Sequence, residues 1–103
     1  MPGRIFHVRL QLLPTEAGGK TNSIRSDYRP SWDLGNQWLG QPMLNDGRIL
    51  LDDGMALAPG MTGLARLEPL APEFWGQMVV GAVIPMQEGS HVVGHATILV
   101  IVC

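Results

Sequence analysis

The sequence has 103 residues, of which 46% are hydrophobic and 16% charged, and its formal net charge is −2. This composition predicts a single globular domain over residues 1–103, and it excludes a disordered chain or a broadly basic coat for RNA or DNA. One cysteine, Cys103, cannot form an internal disulfide, and no apolar run approaches the roughly 18 residues of a membrane span. We therefore expect a cytoplasmic protein that binds neither DNA nor a membrane.

Glycine and proline interrupt the chain so often that short strands are favoured over helices. The sequence contains 13 Gly and 8 Pro, and its longest stretches free of both, 4–13 and 20–29, have ten residues each. An average helix has about 11 to 12 residues and tolerates these two residue types poorly in its interior. An all-β domain is the fold class that this spacing predicts.

The strands can be placed in chain order from apolar patterns and turn residues. Apolar and polar residues alternate through Arg4–Leu13 with the period of two that is typical of a half-buried strand. Gly35 predicts a bulge within the strand that contains it. Further strands are predicted at 24–27, 32–39, 48–51, 61–67, 74–84 and 92–102, with turns at 45–47, 52–54 and 85–90. Six or so strands joined by short turns are typical of a closed barrel or a sandwich.

Four short motifs resemble the C-terminal (third) domain of elongation factor Tu. They follow the order and the spacing of that family, and the resemblance extends from about Arg4 to Ile101. The motifs are Tyr28-Arg29-Pro30, Ala58-Pro59-Gly60, Leu67-Glu68-Pro69-Leu70 and the segment QEGSHVVGHA at 87–96. The resemblance implies a six-stranded antiparallel closed β-barrel.

The resemblance does not extend to the nucleotide-binding part of that family. There the barrel follows a nucleotide-binding domain and a second barrel, and the sequence contains no counterpart of either. The segment Gly18-Gly19-Lys20-Thr21 ends like a phosphate-binding loop, but Pro14 occupies the position of the first glycine of that motif. We interpret the segment as a turn, and we expect no cofactor and no GTP binding.

A weak, local contact with tRNA is the function that the resemblance itself implies, because the family's barrel helps to hold the T-stem side of aminoacyl-tRNA. The matching loops place the candidate contacts at Lys20, Arg25, Arg29 and His91. Two arginines of the family's terminal motif are replaced here, by Gln87 and His91. Phosphate contacts dominate RNA affinity, and the loss of two arginines removes two groups that could make them. We therefore regard tRNA binding as the alternative hypothesis and not as the leading one.

No residue pattern indicates catalysis or a metal centre. His91 and His95 would lie about 13 Å apart along an extended strand, too far to share one metal ion. Asp46, Asp52 and Asp53 are next to glycines or to each other in predicted turns, and we interpret them as turn residues and not as calcium ligands. No Ser, Cys or Glu has a recognisable base beside it, so we expect no enzymatic activity.

The apolar segment 74–84 supports the leading functional hypothesis. If it is a strand, Trp75, Val79 and Val83 lie on the face opposite Phe74, and a barrel interior accepts only one face of a strand. One of the two sets would then remain exposed, and Trp75, Val79 and Val83 are the candidate interface. We expect a non-enzymatic binding module, derived from an elongation factor Tu C-terminal domain, that acts through a protein partner or through self-association.

The sequence makes one prediction that needs no structure. Titration of GTP with Mg²⁺ into micromolar protein should give only heats of dilution, because the phosphate-cradling loop and the Asp that would hold magnesium are not recognisable. A saturable binding isotherm in that calorimetric titration would contradict it.

Overall fold

The computed structural model describes residues 4–52, 54 and 56–102. Six strands form a closed antiparallel β-barrel, which confirms the predicted fold class. The strands are β1 (Ile5–Leu12), β2 (Ser31–Trp38), β3 (Gln41–Leu51), β4 (Thr62–Pro69), β5 (Val83–Glu88) and β6 (His91–Val102). The described helical structure consists of two short 3-10 turns, Thr15–Ala17 and Pro72–Trp75.

The order of strands around the barrel is β1-β4-β3-β2-β5-β6, and every neighbouring pair is antiparallel. In this ring β4 and β5 lie on opposite sides. The segment that joins them, residues 70–82, must therefore pass across one end of the barrel, and we refer to it as the crossover. Strand alternation directs one face of each strand into the barrel, as in β1, where Phe6, Val8, Leu10 and Leu12 are buried.

The prediction of a strand at 74–84 is wrong, and with it the placement of Trp75. The crossover makes a 3-10 turn at Pro72–Trp75, and strand structure begins only at Val83. Gly81 has φ +92°, a conformation that interrupts an extended segment and that favours glycine. The Trp75 side chain enters the core, where its ring lies 5.7 Å from that of Phe6 and 6.4 Å from that of Trp32.

The predicted turn at 45–47 is also wrong, because these residues lie inside β3. Gly47 does not reverse the chain but allows close packing between strands. Its carbonyl accepts a hydrogen bond of 2.9 Å from Trp32 Nε1. A Cβ at Gly47 would lie 2.9 Å from the Leu67 side chain and 3.2 Å from Trp32 Nε1, so any other residue would require these buried side chains to shift. The chain reverses at Leu39 and Gly40, whose φ values of +52° and +78° are typical of a two-residue hairpin loop.

The remaining differences are smaller. Most of the predicted turn at 85–90 belongs to β5, which continues to Glu88, and the strand predicted at 24–27 is reduced to a single bridge between Ile24 and Leu57. The bulge predicted at Gly35 is confirmed, since this glycine has φ +82° and the β2–β3 register shifts there. Asp53, part of the turn predicted at 52–54, lies outside the described residues.

The contrast between two adjacent aromatic residues tests the placement of the crossover. Trp75→Ala should lower the free energy of unfolding by about 3–5 kcal/mol, because it removes a fully buried ring from the barrel core. Phe74→Ala, whose side chain is 43% exposed, should cost about 1 kcal/mol. Urea unfolding followed by far-UV circular dichroism measures both. Equal losses would show that the two rings are not divided between core and surface.

Candidate functional site

The hairpin formed by β2 and β3 extends beyond the barrel. In the described part of the chain, β5 pairs with β2 only at Ser31 and Trp32, and β4 pairs with β3 only from Gly47 onward. The hairpin residues between these limits have only each other as strand partners. We refer to residues 34–45 as the arm.

Hydrogen bonds tie the arm to the crossover at the same end of the barrel. The Asn36 side chain donates to the carbonyl of Phe74 at 3.1 Å and accepts from the Gln77 side chain at 3.0 Å. At the base of the arm, Leu70 N–H donates to the carbonyl of Asp46 at 3.0 Å. The arm and the crossover therefore form one continuous surface.

Exposed apolar side chains concentrate on this surface. Twelve large hydrophobic residues are exposed in the described part of the chain, and two thirds of them lie on the arm, on the crossover or at Val83, where β5 begins. These are Trp38, Leu39, Leu44, Leu70, Phe74, Val79, Val80 and Val83. Trp38 is 69% exposed and Leu39 is 86% exposed. We call the arm, the crossover and Val83 the barrel-end surface.

The barrel-end surface is almost free of charge. The twelve residues of the arm contain no Asp, Glu, Lys, Arg or His, and the crossover contains one charged residue, Glu73. All seven Lys and Arg residues of the chain lie elsewhere. Burying this surface against another molecule would therefore desolvate a single ionic group, and depletion of charge is the compositional property that distinguishes the centre of protein interfaces.

The tip of the arm has an unfavourable backbone conformation. Leu39 occupies the left-handed region, where a side chain other than Gly, Asn or Asp costs about 1 kcal/mol or more. Its side chain is almost fully exposed, so packing within the barrel does not offset that cost. Backbone conformations of this kind are enriched at functional sites, which makes Leu39 a candidate contact residue.

The predicted interface residues divide between core and surface. Trp75 is fully buried, so the prediction that it belongs to an exposed interface is wrong. Val79 and Val83 are 62% and 60% exposed and lie on the barrel-end surface. The arm was not predicted, although its twelve-residue stretch without a charged side chain, with Trp38 and Leu39 at the centre, is visible in the sequence.

Two of the four candidate RNA contacts, Lys20 and Arg29, lie next to carboxylates. Lys20 Nζ lies 2.5 Å from Glu88 Oε2 and 5.2 Å from the centre of the Tyr28 ring, and the Tyr28 hydroxyl donates to the same carboxylate. The hydrogen bond from Lys20, followed by the one from Tyr28, lowers the pKa of Glu88. Burial, followed by the hydrogen bond to Glu88, raises the pKa of Tyr28. The charge of Lys20 is thus neutralised within the fold.

Arg29 also has an acidic neighbour. Its guanidinium lies 3.5 Å from Asp27, which accepts a second and shorter contact of 3.0 Å from Arg48. The hydrogen bond from Arg48 lowers the pKa of Asp27, so this carboxylate stays charged beside Arg29. The other two candidates, Arg25 and His91, are exposed. Lys20 therefore offers phosphate a charge that is already compensated, whereas Arg29 is exposed and shares Asp27 with Arg48.

Within the described residues, no group of three His, Cys, Asp or Glu side chains is placed to hold a metal ion. Asp53 and Cys103, which the sequence analysis considered, lie outside those residues. None of the described helical segments has the length and apolar character needed to cross a membrane. No protein-family model matches the sequence, and comparison with curated proteins finds no significant match.

The Glu88 cluster predicts a pH-dependent contribution to stability. Because the pKa of Glu88 is lowered in the folded state, its ionised form stabilises the fold above the usual glutamate pKa of about 4.3, and this contribution is lost as the pH falls through the folded-state pKa. Glu88→Gln should therefore destabilise the protein at pH 7 and have a smaller effect at pH 3. Urea unfolding at both pH values measures this, with Glu16→Gln, at an exposed glutamate, as the control. An equal effect of Glu88→Gln at pH 7 and pH 3 would contradict the prediction.

Proposed function

We propose that the chain is a non-enzymatic interaction module that acts in the cytoplasm, through the barrel-end surface, on a protein partner or on a second copy of itself. The observation that carries the proposal is the concentration of exposed large hydrophobic side chains on a surface with a single charged residue. Exposed apolar patches of this kind mark sites of protein interaction in soluble domains.

The composition of the surface supports binding in energetic terms. Burying a large apolar side chain that is otherwise exposed contributes about 1.5–3 kcal/mol. Trp38 and Leu39 are adjacent and mostly exposed, so both are available to a partner. Tryptophan is also among the residue types that contribute most to binding when they lie near the centre of an interface.

A contact between two motifs supports the proposed derivation from an elongation factor Tu C-terminal domain. Tyr28 belongs to the Tyr-Arg-Pro motif and Glu88 to the terminal motif, and the two side chains are hydrogen-bonded across 60 residues of sequence. The barrel fold and this contact are both compatible with the resemblance. Binding of tRNA ranks lower, because Glu88 compensates the charge of Lys20 and an acidic residue, Asp27, lies beside Arg29.

The proposal can be tested by affinity capture from an extract of the source cell, read for both protein and RNA. The double variant Val79→Lys/Val80→Lys should lose the proteins that the wild-type chain captures, because two charges would have to be desolvated on binding. The matched control is Met61→Lys/Leu64→Lys, which changes two residues that are similarly exposed but lie away from the barrel-end surface. The control should retain the captured proteins.

Two outcomes of this capture experiment would overturn the proposal. One is the recovery of the same proteins by both double variants, which would place binding elsewhere on the barrel. The other is the recovery of RNA alone, lost as salt is raised, which would favour the tRNA alternative. Far-UV circular dichroism of each variant verifies beforehand that the barrel is folded.

A further inference from the structure

We infer that the barrel-end surface binds a second copy of the same chain, with the arm of each copy packed against the crossover of the other. The inference rests on the proposed function, since it uses the same surface, and it goes beyond it by naming the partner and the contact. Three features of the described residues carry it: the charge of the surface, its extent, and the conformation of the arm.

The distribution of charge favours a second copy. A charged partner would lose hydration on this surface and gain an ion pair at Glu73 alone, because the arm offers no charged side chain and the crossover offers only this one. Two copies of the chain carry a net charge of −2 each and repel one another weakly. On the barrel-end surface they meet with a single pair of like charges, Glu73 and its counterpart.

The extent of the surface favours a contact in which both segments take part. Stable interfaces involve about 20–30 residues from each partner. The arm has ten residues that are not buried and falls short of that number, whereas the arm and the crossover together provide 22, since only Leu34, Asn45 and Trp75 among their residues are buried. Two-fold symmetry allows both segments to be used at once, because each arm then contacts the other copy's crossover.

Along the β3 edge, the arm is suited to contact through side chains and not through strand addition. Trp38 and Gln41 form the pair next to the two-residue loop, so the backbone of Pro42 faces the free edge of β3. Proline has no N–H to donate, and the carbonyl of Asp46 on the same strand already accepts from Leu70. An added strand would therefore find few hydrogen-bonding groups on this edge.

Leu39 at the tip is the residue that distinguishes this contact from a structural role. Asparagine is favoured in the left-handed conformation that Leu39 occupies, so Leu39→Asn should leave the stability of the monomer unchanged or raise it. If the leucine side chain inserts into the partner's crossover beside Phe74 and Val80, the same substitution should weaken association. If Leu39 had only a structural role, Leu39→Asn would not weaken association while leaving the stability of the monomer intact.

The test is the dissociation constant measured by sedimentation equilibrium of the purified chain. The wild-type chain should form a dimer in a concentration-dependent manner, and Leu39→Asn should raise the dissociation constant at least tenfold. Its unfolding midpoint in urea, measured for both chains at a concentration well below the wild-type dissociation constant, should stay the same or rise, because association then adds nothing to the stability of either chain. Met61→Asn, at an exposed residue outside the surface, is the matched control and should leave the dissociation constant unchanged.

Mixing two variants tests the reciprocal contact directly. Leu39→Asn impairs the arm, and Val80→Lys impairs the crossover, so a homodimer of either variant has no intact arm–crossover contact. An equimolar mixture forms one intact contact in each heterodimer, so the mixture should associate more tightly than either variant alone. No gain on mixing would overturn the reciprocal arrangement.

A wild-type chain that stays monomeric up to millimolar concentration would overturn the inference as a whole. The proposed function would survive that result if capture of a different protein were still abolished by Val79→Lys/Val80→Lys. A dimer that tolerated Leu39→Asn and Val80→Lys would also overturn the inference, because it would place the interface on another face of the barrel.

Discussion

The connection between β4 and β5 is the constraint on which the rest of the structure depends. These strands lie on opposite sides of the barrel, so the crossover has to span its end. Trp75 anchors that segment by entering the core beside Phe6 and Trp32, where it is fully buried. Within the described residues, the Trp75 Nε1–H has no hydrogen-bond partner, so burial of the large ring outweighs an unsatisfied donor.

Anchoring the crossover through Trp75 determines which side chains remain outside. Trp75 enters the core and Met78 and Ala82 pack against it, whereas Phe74, Val79 and Val80 are left exposed on the outer side of the same segment. The arm leaves the barrel at this end and is hydrogen-bonded to the crossover through Asn36. The crossover therefore contributes one face to the core of the barrel and the other face to the proposed interface.

The local pattern of the sequence predicted the fold class and part of the detail. Alternation identified β1, and Gly35 identified the bulge, because both depend on neighbouring residues alone. The prediction of a turn at Asn45-Asp46-Gly47 was wrong because Gly47 packs against Trp32 and Leu67, which are distant from it in the sequence. The predicted placement of Trp75 was wrong for a similar reason. Its burial follows from the strand order around the barrel, which the alternation of apolar and polar residues does not reveal. Val79 and Val83 were predicted as candidate interface residues. The arm could not be predicted, because it is defined by where pairing with β4 and β5 ends.

Hydrogen–deuterium exchange at two protein concentrations tests most directly whether the barrel-end surface is where two copies meet. Backbone amides of the arm and the crossover should exchange more slowly at high concentration than in dilute solution, because association excludes water from both segments. Amides in the loop at 13–30 serve as the internal reference and should exchange at the same rate at both concentrations. Identical exchange of the arm and the crossover at the two concentrations would contradict self-association through this surface.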